Sequence, residues 1–277
     1  MKTMFFFFVV LAFLGPFELQ AGEWEDIFNE DGIKVSQKSI EGSSIISFKA
    51  EMVAEKNIHE LFTVLYDPDH KEDFLENVIE FRTLKVLNDY EGISYVKVAN
   101  NLPFIDDRDV ILHSKITLKP NLKQIYVPTK NSDLKLVPKK KGTVRIPKLR
   151  SSWLFEALSQ TKTRVTYQNE VDPGGFIPKW LVNLASKRLP FGTLQKLRKL
   201  SEKKEALRRT STFLKYFIDW EPYLGKNHPA SKRSKEEALS IQAEMRGVFK
   251  QHCEAGSKES CDASKNYVVP FLRGEGF

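Results

Sequence analysis

Lys162-Thr163-Arg164-Val165-Thr166-Tyr167-Gln168-Asn169-Glu170-Val171, closed by Asp172-Pro173-Gly174-Gly175, marks where the chain changes its period. Thr163, Val165, Tyr167, Asn169 and Val171 alternate with Lys162, Arg164, Thr166, Gln168 and Glu170, as in a strand with one sheltered face. Beyond the Asp-Pro-Gly-Gly turn the repeat becomes helical: Trp180, Leu181, Leu184, Ala185 and Arg188, then Leu194, Leu197 and Leu200. Pro190 falls inside that stripe and predicts a kink or break, because it removes one helix hydrogen bond. What precedes the turn reads mainly as strands, without βαβ alternation. The fold class is therefore α+β, a strongly bent antiparallel sheet closing over a final helix.

Working toward the N-terminus, residues 24–28 read as a short amphipathic turn, and 33–36 and 45–53 as strands. Asn57 is a helix N-cap, followed by Ile58, Leu61, Phe62 and Leu65 on one stripe; Asp67-Pro68-Asp69 stops that helix. An acidic turn at 70–75 leads to a hairpin of strands 78–87 and 93–100. Later strands are expected at 107–118, 122–127, 142–146 and 152–158, with a long polar loop at 131–141.

The strand from Asp107 carries an anomaly. Arg108, Val110, Leu112, Ile116 and Leu118 share one side; Asp107, Asp109, His113, Lys115 and Thr117 share the other. A guanidinium thus lies on the apolar face. Burying it unpaired would cost several kcal/mol. From alternation alone, Arg108 is paired, solvated by trapped water, facing a cavity, or reaching water at a frayed strand end.

The termini and the charge set the setting. Lys2, the apolar run 5–14 and the small residues up to Ala21 form a secretory signal peptide, residues 1–21. The run is about half of the roughly 20 residues that span a bilayer, which leaves a retained anchor as the weaker alternative. Export to the periplasm or the extracellular space is expected. Cys253 and Cys261, the two cysteines, are expected to close a small disulfide loop worth about 2–3 kcal/mol. His252 adjoins Cys253, but a metal site would need further ligands, and none is expected. The formal charge is +7; residues 179–215 alone hold eleven Lys and Arg against Glu202 and Glu205. With Lys139-Lys140-Lys141, Arg145, Lys148 and Arg150, these favour an anionic surface, and export points to a membrane rather than nucleic acid. Plain solvated faces are the alternative. The five histidines are scattered, with no nucleophile frame, HExxH or phosphate-binding glycine loop, so no catalytic residue is assigned.

In this order, these segments resemble the START (StAR-related lipid-transfer) domain, a helix-grip fold, and exported bacterial members in particular, from about Trp24 to Leu207. The marks are Pro103-Phe104 with Asp107-Arg108-Asp109, Gly142-Thr143-Val144-Arg145-Ile146, Trp153, Thr163 through Tyr167 and Asp172 through Pro178. Trp180-Leu181-Val182-Asn183, Pro190 and Thr193-Leu194 complete them. The resemblance implies a curved antiparallel sheet wrapped around a long C-terminal helix, enclosing a hydrophobic tunnel for one lipid or sterol-like molecule. It implies that Arg108 points into the tunnel and pairs with an acid from the segment before the hairpin, Asp73 in preference to Glu72. By parity the wall would include Val110, Leu112, Trp153, Phe155, Tyr167 and Asn169; for each apolar member, plain core packing is the alternative. Residues 22–210 would form the lipid-binding domain, and 211–277 an extension with an aromatic segment, a helix and the cysteine loop. A monomer that binds or transfers a hydrophobic ligand, without cofactor, and touches anionic membranes transiently is expected. The alternatives are a cyclase- or hydrolase-type enzyme on the same fold, and an interaction module with a filled core.

Overall fold

The computed structural model describes residues 22–67, 73, 75, 77–88, 90–99, 105–203 and 207–232. Strands β1 (Glu25–Glu30), β2 (Ile33–Ser39) and β3 (Ile46–Ala54) form a meander, followed by α1 (Ile58–Tyr66). Then come β4 (Val78–Asn88), β5 (Glu91–Val98), β6 (Asp107–Lys115), β7 (Thr117–Lys119), β8 (Gln124–Asn131), β9 (Thr143–Arg145), β10 (Lys148–Ala157) and β11 (Thr163–Asp172). Helices α2 (Lys179–Ser186), α3 (Leu189–Ser201), α4 (Arg208–Phe217) and α5 (Glu221–Leu224) complete the described chain.

The strands make one open, curved sheet in the order β1-β2-β3-β11-β10-β8-β6-β5-β4, with β7 beside β8 and β9 beside β6. Pairing is antiparallel except between β6 and β9. Residues 24–28 are therefore not a turn: from Glu25 they run as the edge strand β1. The cause lies just downstream. Asp31 and Gly32 both take positive φ, 50° and 70°, the tight hairpin geometry that folds β1 back on β2. One partner suffices for an edge strand, so its short apolar content did not signal it.

Helix α1 starts as its sequence dictates. The Asn57 side chain accepts from Glu60 N at 2.9 Å and the Glu60 carboxylate accepts from Asn57 N at 3.3 Å, a complete capping box. Ile58, Leu61, Phe62 and Val64 are buried against the sheet and α3. The expected break near Pro190 is present. Lys187 and Arg188 separate α2 from α3, and Pro190 sits in the first turn of α3, where its missing N–H is no loss. Helix α3 lies across β2, β3 and β11 and buries Phe191, Leu194, Leu197 and Leu200.

Two segments pack more tightly than expected. Residues 207–232 belong to the main core: Leu207, Leu214, Ile218, Trp220, Tyr223, Leu224 and Ala230 are buried with α1 and the sheet. The expected boundary after residue 210 thus crosses a continuous core. The polar loop at 131–141 folds over the outer face of the sheet and buries Val137 against Leu84, Ile93, Tyr95 and Ile111. One valine in a lysine-rich run carries no periodic signal. Cys253, Cys261 and residues 1–21 lie outside the described residues.

His59 on α1 is caught between α1 and α4. Its Nε2 donates to the Ser211 carbonyl at 3.0 Å, and its ring meets Trp220 edge-on at 5.0 Å. Burial pushes its pKa down to about 4. The unfolded chain takes up that proton below about pH 6.5, whereas the folded chain does so only near pH 4. Stability contributed by neutral His59 is therefore lost as pH falls between those values, by about 3 kcal/mol in all. Urea titrations at about pH 7 and about pH 4.5 should show this loss in the native protein and not in His59→Gln. An equal acid loss in both would refute the assignment.

Candidate functional site

Between the inner face of the sheet and α1, α2 and α3 lies a cavity of about 500 Å³. Phe62 and Leu65 enter from α1, Val96 and Val98 from β5, Val127 from β8, Val171 from β11, Val182 from α2 and Leu189 from α3. Parity along β6 holds. Arg108, Val110, Leu112 and Ser114 line the cavity, while Asp109, Ile111 and His113 face the other way. Of the other residues assigned from sequence, Trp153, Tyr167 and Asn169 also reach it.

Two assignments fail. Phe155 is fully buried, but it packs edge-on against Phe62 of α1 at 5.7 Å rather than lining the cavity. It shares parity with Trp153, yet α1 covers the sheet at that end of β10. Asp73 is exposed, whereas Arg108 is buried, and no ion pair joins them. Sequence proximity could not reveal that Asp73 is exposed while Arg108 is buried. Glu72 lies outside the described residues.

Arg108 is instead held by backbone. Its Nη1 donates to the Asp106 carbonyl and its Nη2 to the Gly174 carbonyl at 3.2 Å. Its Nε is buried without an acceptor among the described residues. The residue is only 7% exposed. Burial lowers the guanidinium pKa, and the charges of Asp106 and Asp107 oppose that shift. Asp107 itself pairs with Lys97 at 2.8 Å. The turn after β11 must be glycine to make this contact. A Cβ at Gly175, where φ is 73°, would stand 3.3 Å from Arg108 Nη2, and one at Gly174 would stand 2.9 Å from Pro147 Cδ. Thus the Asp-Pro-Gly-Gly turn that ends the last strand also supplies the cradle of the buried cation.

Tyr167 stacks on Trp153, with ring centroids 4.3 Å apart and planes 28° from parallel, and burial pushes its hydroxyl pKa up. Asn169 is 3% exposed; its Oδ1 is buried without a hydrogen-bond partner among the described residues. Ser114, Thr129 and Ser151, which sequence reading passed over, also line the cavity, as do Thr83, Ser94, Ser186 and Thr193. Ser114 has the parity of Arg108 and could have been found by it. Ser151 shares parity with Trp153 for the same reason.

One margin of the site faces solvent. Phe176, Trp180 and Leu184 are exposed on the 173–178 turn and α2, while their neighbours Ile177 and Val182 line the cavity. Helix α2 therefore has apolar side chains toward both the interior and the outside.

Residues 12–206 match the family model of the START domain. An uncharacterised protein of Pseudomonas aeruginosa is 29% identical over 184 residues, covering 66% of this chain and 89% of that protein. The phosphatidylcholine transfer protein of Rattus norvegicus is 25% identical over 171 residues, covering 61% of this chain and 79% of that protein. Among solved structures, the STAR-related lipid transfer protein (fragment 25–204) from Xanthomonas axonopodis has a TM-score of 0.59 at 29% identity, covering 65% of this chain and 98% of that one.

Proposed function

This chain belongs to the START domain family, which binds lipids in a hydrophobic cavity, and from that premise we propose that its own cavity takes up one lipid or comparable hydrophobic molecule. The observation that carries the reading is a buried guanidinium, with Nε unpaired among the described residues, on the wall of a largely apolar cavity. The cavity volume, about 500 Å³, falls within the range of sites that enclose a single small molecule. Apolar burial supplies most of the affinity, roughly 0.8 kcal/mol per methylene. Arg108 orients a polar or anionic end group through charge-assisted hydrogen bonds.

The role is binding and transfer rather than catalysis. No histidine or cysteine lines the cavity among the described residues. His59, His113 and His228 are engaged with Ser211, Glu91 and Ala230 instead. Exchange takes place at an anionic membrane surface. Exposed Phe176, Trp180 and Leu184 enter the interface, the basic residues of 179–215 meet the head groups, and α2 moves to open the cavity. The protein acts as a monomer, after export and removal of residues 1–21.

Native mass spectrometry of protein purified from a lipid-containing host should show a one-to-one complex with a hydrophobic molecule. Protein that carries nothing, and takes up no added phospholipid or fatty acid, would overturn the reading. Arg108→Leu should retain the fold while changing the co-purifying species, with anionic amphiphiles bound roughly tenfold or more weakly. An unchanged ligand profile would make Arg108 a purely structural cation.

A further inference from the structure

A polar row crosses the inner face of the sheet at right angles to the strands, and an apolar ligand body has no use for it. Asn169 on β11 stands opposite Ser151 on β10, Ser151 opposite Thr129 on β8, and Thr129 opposite Ser114 on β6. All four line the cavity. With strands about 4.8 Å apart, the row is roughly 14 Å long. Its two ends differ. Ser114 Oγ and Thr129 Oγ1 satisfy each other at 2.9 Å. No hydrogen bond joins the Ser151 hydroxyl to a described residue, and Asn169 Oδ1 is buried with no partner among them. An amide oxygen left so is rare in native interiors, because the missing bond costs about 1–3 kcal/mol.

We propose that Asn169 and Ser151 form a second polar subsite, and that the ligand carries a hydroxyl partway along its apolar body while its anionic end is held by Arg108. The inference rests on the reading that the cavity binds a hydrophobic ligand, and it names the class of that ligand. A hydroxyl both donates and accepts, so it gives its proton to Asn169 Oδ1 and accepts from Ser151. A carboxylate or phosphate at the row would only accept, and could not satisfy Oδ1. A bare hydrocarbon would leave the amide unpaired. Spacing separates the two subsites. Asp172 is three residue steps along β11 from Asn169, about 10 Å, and the Gly174 carbonyl that receives Arg108 lies beyond it. The hydroxyl therefore sits well down the body, away from the anionic end.

Oleate and ricinoleate differ by one mid-chain hydroxyl and provide the test, in competition read by native mass spectrometry. The native protein should prefer ricinoleate by roughly tenfold, the worth of one well-made hydrogen bond at a site built for it. Asn169→Leu, of similar size but apolar, should bring the ratio close to one by weakening ricinoleate. Arg108→Leu should weaken both acids alike and leave the preference in place. Ser151→Ala should reduce the preference in part, and it serves where Asn169→Leu does not fold. Equal binding of the two acids by native protein would overturn the hydroxyl subsite and leave lipid binding standing. Binding of neither overturns the proposed ligand class. A lipid that still co-purifies would then show that the wider reading survives, and its absence that both fall.

Discussion

Trp220→Ala is expected to remove about 4 kcal/mol of stability, a large share of what a domain of this kind possesses. The side chain is fully buried, among the largest that are. Its indole N–H donates to the Leu214 carbonyl at 2.9 Å, and its ring contacts His59, Phe62 and Tyr223 at centroid distances of 5.0, 6.4 and 5.8 Å. Alanine would lose the transfer energy of the indole and its hydrogen bond, and leave a cavity between α1 and the segment after α4; the Leu214 carbonyl would keep only the Ile218 N–H, at 3.0 Å. Urea unfolding followed by circular dichroism measures the loss, with Trp220→Phe expected to fall about midway because it keeps a ring and loses the donor. A cost below about 1 kcal/mol would show that residues 207–232 are peripheral after all.

Asp109→Ala is the second large effect, about 3 kcal/mol, and it acts on the opposite side of the sheet. Asp109 is 1% exposed. Its carboxylate accepts from Arg145 Nε at 2.6 Å, Arg145 Nη2 at 3.1 Å and the Tyr95 hydroxyl at 3.1 Å. Arg145 Nη2 also reaches the Val137 carbonyl at 3.1 Å, so one buried charge ties β5, β6, β9 and the covering loop together. Burial, then the charge of Asp109, pushes the Tyr95 pKa up to about 12. Alanine would leave a sheltered guanidinium and a phenol without their acceptor. Because the pair is buried, the loss should change little with added salt. Asp109→Asn keeps an acceptor for Tyr95 and should cost less. If Asp109→Ala costs only what an exposed pair is worth, under about 1 kcal/mol, the clamp is not structural.

Much of this was legible in the sequence. A two-residue period put Arg108, Val110, Leu112, Tyr167 and Asn169 on the face that lines the cavity, and Asn57 and Pro190 marked a helix start and a helix break. Period alone names a face, however, and not what lies over it. Trp153 and Phe155 are equivalent by parity, yet one meets the cavity and the other α1. Asp109 was rightly placed on the outer face, but nothing in its neighbours announced that a lysine-rich loop would bury that face. The partner of Arg108 was unreadable for a different reason. It is two backbone carbonyls, and every residue has one of those. The polar row needed strand register, which joins positions far apart in sequence.

The seam between β3 and β11 bears on how the protein is made. It pairs Ala54 with Thr163 and Phe48 with Asn169, closing a loop of roughly a hundred residues, an entropic cost of about 4 kcal/mol. The meander β1 to β3 can form from near neighbours, and the strands from β4 to β11 likewise, but each block keeps an unpaired edge until the seam zips. Helix α3 straddles that seam, touching β2 and β3 on one side and β11 on the other. The first strands to leave the ribosome must therefore wait, edge open, for β11, and the chamber is sealed only when α3 has followed it.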